Sequence, residues 1–171
     1  MKNFLGLIIV LTLLSSCGGD VQSAYDAITA KEDSISVASE KLPNGEILPE
    51  EDTYQLITLL LNFSKDYPDD IHAAECLDKV HMAYSGLRDY KKAVFYADKL
   101  LKEYPDYINK SMVLESQAGN YDLFIVPRDT SKVRYYYDLL LKEDISSEKR
   151  KDIKNRLKHI DLTMEQYILQ Q

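Results

Sequence analysis

Tryptophan is absent from this 171-residue chain, and cysteine and histidine are scarce at two and three residues. Two thiols exclude a disulfide-stapled scaffold, and the few thiols and imidazoles offer no four-ligand zinc spacing. His72, His81 and His159 form no helical pair four residues apart, so no metal is expected. The Gly-x-Ser-x-Gly elbow, the P-loop and the dinucleotide fingerprint are also missing. No catalytic constellation remains, no cofactor is implied, and no enzyme is expected. Six glycines and five prolines, with 45% hydrophobic and 29% charged residues, exclude collagen-like repetition and disorder throughout. The composition is that of a globular chain of one domain. Basic residues are outnumbered, 21 Lys and Arg against 28 Asp and Glu, for a net charge of −7. A chain that neutralises nucleic-acid phosphate carries the opposite sign, so the expected partner is a protein or peptide and not a nucleic acid.

Long apolar runs are missing with one exception, at the start. Lys2 precedes an apolar stretch over residues 4–14, the layout of an export signal. The stretch is about half the roughly 20 residues that span a bilayer, so it is read as a cleaved leader and not as a membrane helix. Leu14-Ser15-Ser16-Cys17 follows, then Gly18-Gly19-Asp20. This resembles a bacterial lipobox, in which small residues flank the cut and the cysteine thiol takes diacylglycerol. The alternative is an ordinary secretory signal with a free cysteine nearby. Cleavage before Cys17 removes Lys2 and takes the side-chain charge from −7 to −8. Two or three acyl chains on Cys17 hold a protein stably at a membrane, so the domain needs no membrane-binding surface of its own. In the lipoproteins this resembles, an Asp after the cysteine often retains the protein at the inner membrane. Gly18 therefore implies the outer membrane, facing the periplasm more readily than the cell surface.

Strand signals are nearly absent. The one β-like run, Leu123-Phe124-Ile125-Val126, stops at Pro127 and is read as a helix end or loop. The expected class is all-α. Residues 1–16 are the leader, 17–34 the lipidated cysteine and a flexible tether, and 35–171 a helical domain. A weak helix over 34–42 stops at Pro43-Asn44-Gly45. Helices are then expected near 49–67, with Leu56, Leu59, Leu60 and Phe63 on one stripe, near 71–86 with Leu77, Val80 and Tyr84, and near 90–104 with Ala93, Val94, Ala97, Leu100 and Leu101. Asp69 and Asp70 offer caps for the second of these. Further helices follow near 108–123, 130–142, 146–160 and 163–169, with Ser146 or Ser147 as a cap. Charge is graded, from −9 over residues 18–70 to −1 over 71–144 and +2 over 145–171.

Asp66-Tyr67-Pro68-Asp69 recurs as Glu103-Tyr104-Pro105-Asp106, 37 residues on. The segment from Asp89 to Glu103 recurs from Asp129 to Glu143 at an offset of 40. Periods of this size signal stacked helical hairpins, each burying its apolar face on a neighbour. Residues 74–107 resemble a tetratricopeptide repeat (TPR): Leu77, Val80 and Tyr84 stand at its large first-helix positions, Ala93 at its small second-helix position, and Pro105 closes the unit. His81 stands where that family has Gly or Ala, which implies a wider crossing. The unit before is interrupted by Pro43-Asn44-Gly45, and the unit after carries about six extra residues at 124–129 and lacks the closing proline. The resemblance covers residues 48–145 and extends to small repeat lipoproteins of Gram-negative bacteria, with a capping helix at the carboxyl end. It implies a short α-solenoid whose concave face, made by first helices, holds a peptide. The groove positions fall on Glu75, Asp78, Lys79, Met82 and Ser85, and in the next unit on Asn109, Met112, Ser116 and Asn120. The same positions also suit a solvated helix surface without a ligand.

Other groups carry alternatives. Once Cys17 is lipidated, Cys76 is the remaining thiol, either buried as a small hydrophobe or available for an intermolecular disulfide. Tyr135-Tyr136-Tyr137 cannot all face one core. The basic run Lys149, Arg150, Lys151, Lys154, Arg156 and Lys158 reads as the solvated face of an amphipathic helix, with contact to anionic lipid as the alternative. The expected function is a lipid-anchored envelope adaptor or scaffold. The alternatives are a permanent subunit of an outer-membrane assembly or transport complex, and a small ligand-binding or enzymatic lipoprotein.

Overall fold

The two Tyr-Pro steps set the rhythm of the chain. Proline crowds the residue before it out of the helical region, and Tyr67 (φ −130, ψ 58) and Tyr104 (φ −128, ψ 68) leave their helices with nearly the same geometry. The structure, a computed structural model, describes residues 17–43 and 49–170. It comprises the helices α1 Cys17–Glu40, α2 Glu50–Asp66, α3 Ala73–Gly86, α4 Tyr90–Glu103, α5 Lys110–Leu123, α6 Thr130–Leu140, α7 Ser147–Lys158 and α8 Met164–Ile168. Among the described residues there is no strand, and no helix is long and apolar enough to cross a membrane. The leader over 1–16 and the Asn44-Gly45 turn lie outside the described residues.

Consecutive helices pack on one another, α3 on α4 and α5 on α6 most extensively. α3, α5 and α7 begin at residues 73, 110 and 147, so the spacing of 37 is kept a second time although Lys142 replaces proline there. Side-chain caps fix the starts of four helices. Asp89 accepts from the Lys92 amide, Asp129 from the Ser131 and Lys132 amides, Ser146 from the Lys149 amide, and Thr163 and Gln166 form a reciprocal capping box. α3 departs from expectation: His72 is its cap residue and makes no side-chain cap bond, while Asp70 accepts from the His72 amide at 2.9 Å.

Two expectations are corrected. Residues 17–34 do not form a flexible tether: they are helical and belong to α1, which runs on to Glu40 and absorbs the expected 34–42 helix. Val21, Ala24, Tyr25 and Ile28 repeat at helical spacing, Ile28 is fully buried, and Tyr25 stacks on His72 at 3.8 Å. Tertiary burial of this stripe outweighs the weak intrinsic preference of a segment with four Ser, three Asp and two Gly. Residues 124–129 do not hold six extra residues. They replace a three-residue connection at 87–89, and α6 is shortened to 11 residues where α4 has 14.

The core is continuous but changes along the chain. One cluster joins Ile28 of α1, Ile57, Leu60 and Phe63 of α2, Cys76, Val80 and Tyr84 of α3, and Ala93 of α4. A second joins Leu77, Ala97, Leu100 and Val113, and a third joins Leu114, Ala118, Tyr136, Leu140 and Ile153. Each fully buried Leu or Phe contributes about 1.5–3 kcal/mol, and Ala93 and Ala97 let α4 approach its neighbours closely.

Candidate functional site

The residues that the repeat pattern assigns to a groove divide into two groups. Met82 on α3 and Met112 on α5 are 61% and 65% exposed, and Asn109, at the α5 cap, is exposed just before Met112 in sequence. Ser85 is half-buried, and its hydroxyl is buried without a hydrogen-bond partner.

The second group is tied into the protein. Lys79 reaches across to Glu32 of α1 at 2.8 Å and back to Glu75 at 3.0 Å. Burial alone lowers its basicity, but the two carboxylates outweigh that and raise its pKa. In turn, the Lys79 ammonium holds the Glu75 carboxyl below the usual range. Asp78 accepts from the Tyr107 hydroxyl at 2.9 Å and lies 2.9 Å from His81 Nδ1. Burial, reinforced by Asp78, pushes the Tyr107 hydroxyl up to about 12. His81 Nε2 is 3.2 Å from Ser116 Oγ, which also accepts from Asn120 Nδ2 at 3.5 Å. His81 is 3% exposed, and its imidazole bridges α3 to α5.

Asp78, His81 and Ser116 stand in the order orienter, base and hydroxyl. The geometry is not that of a working relay. His81 Nδ1 has no aligned hydrogen bond despite its distance from Asp78. Ser116 sits in the middle of α5, where the helix ladder holds the backbone N–H groups that an oxyanion would need. The three side chains form a polar seam between helices.

Cys76 is buried and free, and burial pushes its thiol up to about 12, so it stays protonated at neutral pH. Among the described residues no group of three or more His, Cys, Asp or Glu is placed to hold a metal ion. Of the three tyrosines, Tyr136 is buried, Tyr137 half-buried and Tyr135 exposed.

The basic run on α7 is not uniformly solvated, which corrects a further expectation. Arg156 is 4% exposed, and its guanidinium grips the fully buried Asp122 carboxylate with two bonds of 2.8 Å. It also donates to the carbonyls of His159 and Leu162. Arg128 donates to the same carboxylate at 2.8 Å. Arg150 donates to the carbonyls of Leu141 and Glu143. Asp122 and Arg156 lie 34 residues apart, and the available signal was an Arg one turn beyond Ile153 on the buried stripe of α7.

Comparison of the chain with protein-family models gives no match, and comparison with curated proteins gives none either.

Proposed function

We propose that this chain is a lipid-anchored adaptor of the cell envelope, holding another protein on the inner side of a short TPR-like solenoid formed by α3 and α5. The observation that carries the reading is the exposure of Met82 and Met112 on helices in equivalent repeat positions. Methionine is flexible and polarizable, and suits a surface that closes over an apolar partner. The 37-residue spacing of α3, α5 and α7 and the fully buried Ala93 and Ala97 support the repeat assignment. The lipobox carries the membrane assignment. Since α1 begins at Cys17, an acylated chain would enter its helical layer with no spacer.

A photo-crosslinking residue at position 82 or 112 in intact cells should give a discrete adduct with one envelope protein, and Cys17→Ser should release the chain from the membrane fraction. Uncrosslinked monomer from both positions would count against the adaptor.

A permanent-subunit reading is favoured by a different observation. Ile71 and Ile108, in equivalent turns, are 87% and 90% exposed, more apolar surface than an isolated protein needs there. Stoichiometric copurification with a large complex, broken by Ile71→Ser and Ile108→Ser together, would select this reading.

A further inference from the structure

Away from Met82 and Met112, α4, α5 and α6 enclose a groove of about 690 Å³. Its apolar lining includes Leu101 of α4 and Leu139 of α6, both half-buried, and the exposed Tyr135 stands at its edge. Three lysines from three helices line it: Lys102, Lys110 and Lys132. Lys110 is shared with Glu143 at 3.2 Å. Lys102 and Lys132 have no carboxylate partner among the described residues. Instead, the Lys132 ammonium lies 5.9 Å from the centre of each of the Tyr121, Tyr135 and Tyr136 rings, which present it with only π faces.

The single carboxylate in the lining, Asp98, is already engaged. It accepts from the Tyr136 hydroxyl and from Gln117 Nε2. The groove therefore presents net positive charge over an apolar floor in a chain whose net charge is −7. We infer that it binds an acidic peptide segment of a partner protein, with carboxylates meeting Lys102 and Lys132 and an apolar side chain entering between Leu101 and Leu139. An inorganic anion would leave the apolar floor unmatched, and a flat bilayer surface does not enter a recess between helices. This surface is separate from the Met82 and Met112 face, so either assignment can fail alone.

Full-length protein in detergent micelles should select, from a random peptide display library, sequences enriched in Asp and Glu around a bulky apolar residue. Fluorescence anisotropy of a selected peptide should show affinity falling at least about tenfold in K102Q/K132Q, since both charge-assisted contacts are lost. Affinity should also weaken on added salt. Lys65→Gln and Lys158→Gln, at exposed lysines outside the groove, should leave it unchanged. An unchanged thermal unfolding curve for K102Q/K132Q would show that the fold is intact. Absence of selected sequences, selection without acidic enrichment, or indifference to K102Q/K132Q overturns the assignment. Equal lysine-dependent binding to phosphatidylglycerol vesicles would instead identify a lipid surface, and lysine-dependent self-association in the ultracentrifuge would identify a second copy. Either result also overturns it.

Discussion

Between α2 and α3 the chain packs Ile57, Leu60 and Phe63 against Cys76 and Val80, all of them buried. Between α4 and α5 the contact is sparser, and Gln117 lies at its centre, fully buried, donating to the Val94 carbonyl at 3.1 Å and to Asp98 at 2.7 Å. Across the same hairpins, Tyr107 is bonded to Asp78 and His81 faces Ser116. Further along, α5 meets α7 through a buried ion cluster, Asp122 with Arg156 and Arg128. Hydrocarbon contact is non-directional and tolerates small shifts, whereas hydrogen bonds and bidentate pairs fix register and orientation. The lesson is that burial joins the helices throughout, and that between α4, α5 and α7 buried directional contacts are added to it. The polar seam leaves room beside it, and the lysine-lined groove opens there.

The sharpest test of this contrast is Asp122→Ala. It strands Arg156 and Arg128 in a buried site, and breaking such a pair costs about 3–5 kcal/mol, a fall in Tm of about 10 °C or more. Replacing Asp122→Leu together with Arg156→Met should recover most of that loss, because the one charge then left without its partner is Arg128, whose side chain is 18% exposed and can turn to solvent. A double variant as unstable as the single one would mean that the cluster contributes net stability and not only orientation. Thermal unfolding followed by circular dichroism reads both.

At the apolar seam, Leu60→Ala should cost about 2–5 kcal/mol through lost burial and the cavity left behind. At the polar seam, Gln117→Ala should cost less, about 1–3 kcal/mol. Gln117 Oε1 has no partner, so part of the native side chain is already buried at a cost. Asp98 keeps the Tyr136 hydroxyl as a donor when Gln117 is lost. Equal losses for Leu60→Ala and Gln117→Ala in urea unfolding would erase the distinction between the seams.

How far the sequence foretold these seams depends on their chemistry. Helices α2 to α7 were legible because their apolar stripes recur at three and four, and because Pro68 and Pro105 end helices by local sterics. α1 carries the same stripe in Val21, Ala24, Tyr25 and Ile28, but it is diluted by polar residues, and nothing local says that α2 will cover it. Tertiary partners do not announce themselves in spacing either. Asp78 and Ser116 read as surface residues until Tyr107 and His81 are placed beside them, and Arg156 reads as one of a solvated basic run until it meets Asp122. Met82 and Met112, which the repeat resemblance placed on an outward face, are exposed. The groove lysines, from three separate helices, share no sequence pattern.

Alkaline titration distinguishes the seams with a smaller effect. Tyr107, at the polar seam, and Tyr137, beside the ion cluster, have hydroxyls pushed up to about 12, chiefly by burial, with Asp78 and Asp122 respectively adding to it. A folded-state pKa above the unfolded value near 10 means that the unfolded chain releases these protons first. Their contribution is therefore complete below pH 10 and is lost as pH rises from 10 through 12. Absorbance at 295 nm should show tyrosines titrating late together with unfolding, and Tyr107→Phe and Tyr137→Phe should each flatten the fall of stability over that window. Titration of all the tyrosines near pH 10 before unfolding would mean that the seams admit water.

The smallest effect expected is at Ser116, and it bears on whether the polar seam is only a seam. Its hydroxyl lies 3.2 Å from His81 Nε2, with Asp78 behind the imidazole. That order invites the reading of an activated nucleophile, but a nucleophile also needs room for a substrate and donors for the developing oxyanion. The backbone donors around Ser116 are held within α5. Ser116→Ala should thus shift stability by no more than about 1 kcal/mol, the worth of one ordinary hydrogen bond. The full-length protein should not be labelled by a fluorophosphonate probe, with or without the substitution. Labelling that vanished in both Ser116→Ala and His81→Gln would show that the α3–α5 seam opens far enough to admit a substrate. The directional contacts would then belong to a reactive site, and the contrast with the hydrocarbon seam would be one of function as well as of packing.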